Sequence, residues 1–352
     1  MLLTATLAKG LWQNYLALSG KTMKLALALG WPSRALRRGA ATHGTRRGVA
    51  THGAATDAFS ALEHDMWQRG ASAYDAGFGP LTSQAAPALV DAALGGRDAA
   101  LARVRVLDVA TGPGFVADDA AARGCDVVAL DFSSEMLALA EPLTRKHAAL
   151  TLRQGDAQAL PFADESFDAV VVAFGLLHLP RPADCLREAF RVLRPGGRLS
   201  FSVWDAPRAG EGFDVVLSAL AAHGDPDVQL PGGDGVLPFF HFADERHAAA
   251  ALADAGFEAP ESSRLPLVAR LNAADDLYDM FATGTARTRA ILERQTERQR
   301  AAIRAAIADG VRAHAADGGY DVPMPAVRVA ARRSPDRDAA AARARRVQGN
   351  PN

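Results

Sequence analysis

Short apolar segments that alternate with helical ones constrain the fold of this chain more than any other feature. Five segments are apolar almost throughout, and loops or stretches with helical periodicity separate them. A strand that is apolar on both sides must be buried on both faces of its sheet. The pattern therefore predicts a parallel sheet covered by helices on both faces. The predicted strands are residues 104–109, 126–131, 150–154, 167–174 and 198–204.

The chain changes character after Asp205, where helical segments dominate. Two more strands are predicted there, at residues 265–271 and 320–331. Pro323 and Pro325 have no amide donor, so they restrict the second of these strands to a sheet edge or to a late start. The predicted helices are residues 57–96, with a break near Gly77 to Pro80, and residues 211–223, 244–255 and 274–316.

Both ends of the chain are basic, although the net charge is −1. Residues 1–56 contain eight Lys and Arg and no acidic residue, and residues 328–346 contain seven Arg and two Asp, so the rest of the chain carries −14. An acidic body is a poor partner for nucleic acid, whose binding depends on neutralising phosphates. Residues 1–56 carry a nine-residue tandem repeat without periodicity, and we favour disorder or a misassigned start over a targeting peptide.

These observations divide the chain into a domain with two basic tails. We expect the domain at residues 57–331 and a disordered tail at 332–352. No apolar run reaches the 18 to 20 residues or so of a membrane-spanning helix. Two cysteines cannot form a disulfide framework or a four-cysteine zinc site, so a reducing, cytoplasmic location is expected, without a metal centre.

Three acidic residues follow the first three predicted strands. Asp108 precedes a loop with Gly112 and Gly114, which a helix follows, and helix amino termini with glycine-rich loops bind anionic or polar ligands. Asp131 ends the second strand, where a carboxylate can accept hydrogen bonds from ribose hydroxyls. Asp156 follows the third. The loop also fits the dinucleotide pattern G-x-G-x-x-G/A formally, with Ala117 in the last position, so NAD remains an alternative. Asp108 argues against it, because a carboxylate repels a pyrophosphate.

Taken together, these segments resemble class I S-adenosylmethionine-dependent methyltransferases, of the type 11 branch that includes ubiquinone/menaquinone-biosynthesis-like enzymes. The resemblance implies a Rossmann-like α/β fold with a seven-stranded sheet, mostly parallel, whose last strand is antiparallel. It also implies S-adenosyl-L-methionine as cofactor, a binding core at 104–205 and a helical lid from residues 57–96, 206–240 and 274–316. The matching stretches are LDVATGPGFVA (107–117), VVALDFSSEML (127–137), GDAQALPFADESFDAVVVAFGLLHLPRP (155–182) and LRPGGRLSFSVWD (193–205).

The resemblance also implies roles for ten cofactor-binding residues. Asp108 corresponds to the acid of the family's first motif, where it suits the ammonium of the methionine moiety. Ala110 replaces the first glycine of the fuller family pattern. The other implied residues are Gly112 and Gly114 in the loop, Asp131 at the ribose, Phe132, Asp156 and Ala157 at the adenine, and Phe174 and Gly175 near the methionine portion.

The acceptor of the methyl group is expected to be a small molecule, apolar or aromatic. The segment after the fourth strand is FGLLHLP, which lacks the Asn/Asp-Pro-Pro-aromatic segment of many nucleic acid base methyltransferases. His178 in this segment is the best candidate for a general base, and a packing or capping histidine is the alternative. His241 and Tyr278 are weaker candidates. Two other functions stay open: an NAD-dependent oxidoreductase, and a non-catalytic module that binds S-adenosylmethionine.

Overall fold

A computed structural model describes residues 50–96, 101, 104–231 and 236–335 of the chain. Seven strands form one sheet in the order β3-β2-β1-β4-β5-β10-β6, and three short strands form a second sheet in the order β7-β9-β8. The strands are β1 (Arg105–Val109), β2 (Asp126–Asp131), β3 (Leu150–Gln154), β4 (Phe167–Ala173), β5 (Leu193–Trp204), β6 (Glu258–Leu265), β7 (Val268–Leu271), β8 (Ala315–Ala316), β9 (Gly319–Pro323) and β10 (Ala326–Arg332).

Helices cover both faces of the large sheet. They are α1 (Ala50–Gly77), α2 (Gly79–Thr82), α3 (Ala86–Leu94), α4 (Phe115–Ala122), α5 (Ser134–Ala140), α6 (Pro142–Lys146), α7 (Pro182–Val192), α8 (Gly212–His223), α9 (Glu245–Asp254), α10 (Asp276–Gly284), α11 (Arg287–Glu293) and α12 (Glu297–Val311). Within the described ranges, no helix combines the length and apolar character needed to cross a membrane.

The large sheet has the predicted fold class. Strands β1 to β5 are parallel, and β10 runs antiparallel between β5 and β6. The central strands β1, β2 and β4 are buried along nearly their whole length, as expected for strands covered on both faces. Because β1 to β4 point the same way, their carboxyl ends meet at one edge of the sheet, at the switch point where such folds bind ligands.

The strand predictions after Asp205 were partly wrong. The segments predicted as single strands, 265–271 and 320–331, each divide at a proline, Pro266 and Pro325, and contribute to both sheets. Strand β10 is therefore a late start and not a sheet edge. The edge strand β6 was missed because it is polar and largely exposed, so it lacks the apolar signal of a buried strand. Strand β5 begins at Leu193, earlier than predicted.

The described structure also reaches into both predicted tails. Helix α1 begins at Ala50, within the segment 1–56 that we expected to be disordered, because extending a packed helix costs little once its nucleus is formed. At the other end, β10 includes Arg332, and the Arg333 guanidinium is buried against the carbonyls of Phe190 and Leu193. The remaining parts of the predicted tails, residues 1–49 and 336–352, lie outside the described residues.

The helices named as the lid stand at the carboxyl edge of the sheet. Helix α1 packs on α10 and on α5, and α8 packs on α12. Apolar side chains of α8, α10 and α12 join the core of the sheet, whereas Met66 and Trp67 of α1 belong to a second cluster with Met136 of α5 and Ala290 of α11. The cover over the sheet edge is therefore built from segments that precede and follow the core in the sequence.

Candidate active site

The Asp108 side chain is hydrogen-bonded to the loop that follows β1 and to the start of α4. Its Oδ2 accepts hydrogen bonds from the Thr111 hydroxyl at 2.5 Å and from the Ala117 amide at 3.1 Å. Burial raises the pKa of this carboxyl to about 7, although both hydrogen bonds act to lower it. The contact of Asp108 with an ammonium group of the ligand stays a prediction: the side chain is fully buried and its Oδ2 is engaged by its own loop.

Three residues of this loop have left-handed backbone conformations. The φ angles are +56° at Ala110, +55° at Gly112 and +93° at Gly114. A Cβ atom on Gly114 would lie 2.5 Å from the Leu143 side chain, whereas one on Gly112 would meet only Met136, at 4.0 Å. Gly112 therefore leaves room for a ligand beside the backbone. Ala110 adopts the same conformation with a Cβ atom, which is a strained position.

Asp131 connects the ends of β1 and β2. Its Oδ2 accepts from the Gly112 amide at 2.8 Å, and its Oδ1 accepts from the Ser133 amide at 2.9 Å. Ser133 in turn caps α5 by accepting from the Met136 amide. The carboxylate is 3% exposed, and this burial raises its pKa to about 6 despite the backbone hydrogen bonds. A buried acceptor thus stands at the mouth of the glycine loop.

Asp156 and its neighbours form the outer wall of the same region. The Asp156 Oδ1 accepts from the Gln158 amide at 2.8 Å, which leaves the carboxylate at the surface of a tight turn. Ala157 is buried beside it. Phe132 follows Asp131 and packs edge-on against His64 of α1, with ring centroids 5.3 Å apart.

The end of β4 closes the inner wall. Phe174 has a φ of +53°, and its amide donates to the Ser202 carbonyl at 3.1 Å. Its ring packs on Trp204 with centroids 4.4 Å apart. A Cβ atom on Gly175 would lie 2.8 Å from the Cβ of Ala110, so the two loops after β1 and β4 touch at this point.

One cavity of about 300 Å³ brings these groups together. A volume of this order is at the small end of the range for small-molecule sites. Nine of the eleven predicted site residues line it, namely Ala110, Gly112, Asp131, Phe132, Asp156, Ala157, Phe174, Gly175 and His178. Asp108 and Gly114 lie behind the wall. The opposite half of the cavity is aromatic, lined by Trp67, Tyr74, Phe78, Trp204, Phe213, Phe239 and Phe281.

His178 lies in a single 3₁₀ turn after β4 and meets a buried glutamate. Its Nδ1 is 3.0 Å from Oε2 of Glu63, which comes from α1. The Trp67 indole N–H donates to the same oxygen, also at 3.0 Å. Burial alone would raise the pKa of Glu63, but the interactions with His178 and Arg287 outweigh it and hold the pKa below its ordinary value. Glu63 is therefore an ionised acceptor.

Arg287, the first residue of α11, completes this cluster. Its Nε donates to Glu63 Oε1 at 3.1 Å, and its Nη2 donates to the Leu177 carbonyl. The guanidinium also lies over the rings of Phe59 and Phe239, with centroids at 4.7 and 5.3 Å. One side chain of α11 thus binds both α1 and the turn that carries His178.

The sequence reasoning found His178 but missed Glu63, Trp67 and Arg287. A signal was present in α1, where Phe59, Glu63 and Trp67 recur every four residues and share one buried face. A glutamate in an apolar helical stripe needs a buried partner. The weaker candidates do not line the cavity: the His241 ring stacks on His247 at 4.3 Å, and Tyr278 packs under Arg304 at 4.6 Å.

The comparisons with known proteins agree with this geometry. Residues 107–201, which contain the glycine loop, Asp131, Asp156 and His178, match the family model described as a methyltransferase domain. This segment is therefore similar to that family. The matched segment supplies the cofactor-side wall of the cavity, while α1 and the helices after β5 lie outside it.

Curated relatives match about a third of this chain. The demethylmenaquinone methyltransferase of Renibacterium salmoninarum is 46% identical over 106 residues, which are 30% of this chain and 44% of the relative. The ubiquinone/menaquinone biosynthesis C-methyltransferase UbiE of Nitrobacter hamburgensis is 42% identical over 119 residues, 31% of this chain and 47% of the relative. The chain thus spans about half the length of the curated relatives it matches.

Among solved structures, Haemonchus contortus phosphoethanolamine N-methyltransferase 2, in complex with phosphomonomethylethanolamine and S-adenosylhomocysteine, is similar at 17% sequence identity. The alignment covers 78% of this chain and 60% of that one, with a TM-score of 0.48.

Proposed function

We propose that this protein is an S-adenosylmethionine-dependent methyltransferase that acts on a small, apolar or aromatic acceptor. The observation that carries the proposal is the buried Asp131 carboxylate, which lines the cavity next to the open face of Gly112. The match of residues 107–201 to the methyltransferase-domain family model supports it. The acidic body of the chain and the small enclosed cavity favour a small molecule over nucleic acid.

The residues present fit an adenosine-containing sulfonium better than a dinucleotide. At the first turn of α4, the Ala117 amide is already engaged by the buried carboxylate of Asp108. A pyrophosphate seated there would face this carboxylate and would lose an amide donor. A cation next to aromatic rings such as Phe174 and Trp204 is instead favourable. These contacts argue against the NAD alternative.

Each wall of the cavity has a proposed role in binding. Asp131 would hold the ribose hydroxyls, and Asp156 with Ala157 and Phe132 would hold the adenine. The ends of β1 and β4, through Gly112, Phe174 and Gly175, with Ala110 behind them, would border the methionine portion. When bound, S-adenosylmethionine supplies an electrophilic methyl group and leaves as a neutral thioether. Asp108 and Gly114 lie behind the cavity wall and shape the loop, and Asp108 remains the proposed partner of the methionine ammonium group.

The aromatic half of the cavity would bind the acceptor. Its rings come from α1, α8, α10, the loop before α9, the end of β5 and the residue after α1, and they exclude water and offer flat apolar surfaces. Burial raises the pKa of Tyr74 to about 12, so its hydroxyl stays protonated and cannot act as a base. His178 would take a proton from an acceptor that must lose one. The quinone-biosynthesis relatives support a quinol-type acceptor.

The cysteines support a reducing location for the chain. Cys125 and Cys185 are both free and buried. We therefore place the protein in the cytoplasm, as proposed from the sequence.

Two measurements test this function. Calorimetry with S-adenosylhomocysteine and with NADH should show binding of the first at micromolar concentration and none of the second. A transfer assay with methyl-labelled S-adenosylmethionine, run against quinols, phenols and amines, should then show a labelled quinol or phenol. Binding of NADH alone would refute the proposal. Binding of S-adenosylhomocysteine without methyl transfer to any acceptor would instead favour a non-catalytic module that binds S-adenosylmethionine.

A further inference from the structure

Glu63 has a buried carboxylate that takes part in none of the proposed contacts with the cofactor. It is 2% exposed and comes from α1, outside the methyltransferase-domain segment. We propose that Glu63 is a positioning residue, which fixes His178 in the tautomer with hydrogen on Nδ1 and leaves Nε2 free toward the acceptor. The inference deepens the proposed function and rests on it.

Three donors converge on the two oxygens of this carboxylate. They are the Trp67 indole N–H and the His178 Nδ1 on Oε2, and the Arg287 Nε on Oε1. An ionised carboxylate only accepts hydrogen bonds, so the hydrogen of the His178 contact must be on Nδ1. The neutral ring then has its lone pair on Nε2. A general base with a fixed tautomer needs such an orienting acceptor.

The contact with His178 distinguishes positioning from a merely structural role. Arg287 and Trp67 alone would satisfy the two carboxylate oxygens. The remaining hydrogen bond goes to the one histidine that lines the cavity, whose side chain is 21% exposed while Glu63 and Arg287 are closed off from solvent. In the proposed step, an acceptor O–H breaks, its proton bonds to Nε2, and its electron pair stays on the acceptor oxygen. The imidazolium later returns the proton to water.

Arg287 makes this arrangement depend on the lid. It belongs to α11 and binds Glu63 of α1 together with the Leu177 carbonyl beside His178. The charged groups that face His178 are Glu63 at 3.0 Å, Arg287 across that carboxylate, and Asp131 on the opposite wall. Three separate elements meet here, so the orientation of the histidine depends on how α1 and α11 pack over the cavity.

The first test measures the tautomer directly. Nitrogen NMR of the S-adenosylhomocysteine complex, with labelled histidine rings and His178→Asn to assign the signal, should show hydrogen on Nδ1 of His178 in the wild type. In Glu63→Gln, three donors meet one acceptor oxygen and one NH₂ group, so the tautomer should become mixed. Asp65→Asn, an exposed change on the same helix, is the control and should match the wild type.

Two results would overturn the inference: hydrogen on Nε2 in the wild type, or an unchanged tautomer in Glu63→Gln. The wild-type measurement decides even if the variant does not fold.

The second test uses turnover with whichever acceptor the transfer assay identifies. Glu63→Gln should lower kcat about 10- to 100-fold and shift the acidic limb of the pH profile, with little change in cofactor affinity. In a His178→Asn background the same change should cost nothing further. An equal loss in both backgrounds would show a purely structural role. A wild type that binds cofactor but methylates nothing would refute the proposed function, while the NMR result on Glu63 would still stand.

Discussion

The two halves of the cavity were built in different ways. The half proposed to bind the cofactor, called the cofactor half below, is formed by loops that follow β1 to β4. All its predicted residues come from one continuous stretch between Asp108 and His178. The half proposed to bind the acceptor, called the acceptor half below, is formed mainly by α1, α8, α10 and α11, which lie before and after that stretch. The first half is determined by consecutive strand ends of one sheet, and the second by helices that meet only after folding.

This difference is also one of electrostatics. Asp131 and Asp108 in the cofactor half have raised pKa values because burial outweighs the interactions that lower them. Glu63 in the acceptor half has a lowered pKa because Arg287 and His178 face it. A ligand that brings donors can therefore stabilise the first half, whereas the second half is already paired within the protein.

The acceptor half should lose the most stability when its ion pair is broken. Arg287→Leu leaves the buried Glu63 carboxylate without its cation, which should cost about 3–5 kcal/mol of unfolding free energy. Arg289→Leu, two residues further along α11, removes an ion pair with the more exposed Glu293 and should cost at most about 1 kcal/mol. Urea unfolding at pH 7 measures both. Equal losses would contradict the division between the halves.

The cofactor half should respond in affinity. Asp131→Ala removes a charged acceptor, so binding of S-adenosylhomocysteine should weaken by about 1.5–3 kcal/mol in calorimetry. The control is Asp126→Ala at the exposed start of the same strand, where the side chain pairs with Arg105 at 3.4 Å, and affinity should not change. An unchanged dissociation constant in Asp131→Ala would exclude this residue from the site.

The affinity for S-adenosylhomocysteine should also fall as the pH is lowered, through Asp131 of the cofactor half. The pKa of Asp131 is raised to about 6, so its carboxylate is protonated as the pH drops below that value and can no longer accept from both hydroxyls. Binding of S-adenosylhomocysteine should weaken about tenfold per pH unit below 6. Asp131→Asn should flatten this profile; an equally steep profile in that variant would assign the titration elsewhere.

The same raised pKa has the opposite consequence for the empty fold. The folded state favours the protonated carboxyl, so its stabilising contribution is complete below about pH 4. It is lost as the pH rises through about 6. Urea unfolding without ligand, compared between wild type and Asp131→Asn, measures this change. A contribution that grew with pH would contradict the assigned direction.

The smallest effect concerns the strained loop. Ala110 has a φ of +56°, a conformation that glycine adopts without strain, so Ala110→Gly should raise the unfolding free energy by about 0.5–1 kcal/mol. Ala121→Gly within α4 is the control and should lower it by about 1 kcal/mol, because the helix needs no left-handed residue there. A loss in Ala110→Gly would show that the Ala110 methyl group contributes more by packing on Gly175 than its backbone strain costs.

The sequence by itself determined the large sheet and the cofactor half of the cavity. Apolar strands of regular spacing specify a buried parallel sheet, and the residues at their ends then meet at one edge, which is why nine of eleven predicted residues line the cavity. It did not determine where strands break at Pro266 and Pro325, or that the polar strand β6 adds to the sheet, because edge strands lack an apolar signal.

Only the tertiary structure decided the partners of His178 and the direction of Asp108. Glu63 and Arg287 lie 115 and 109 residues from His178 along the chain, and no local period links them. By sequence Asp108 could face a ligand or its own loop, and in the structure its Oδ2 accepts from the Ala117 amide. Local spacing specifies which groups share an edge, whereas the pairing of buried charges depends on how distant helices pack, because each charge must find a partner when water is excluded.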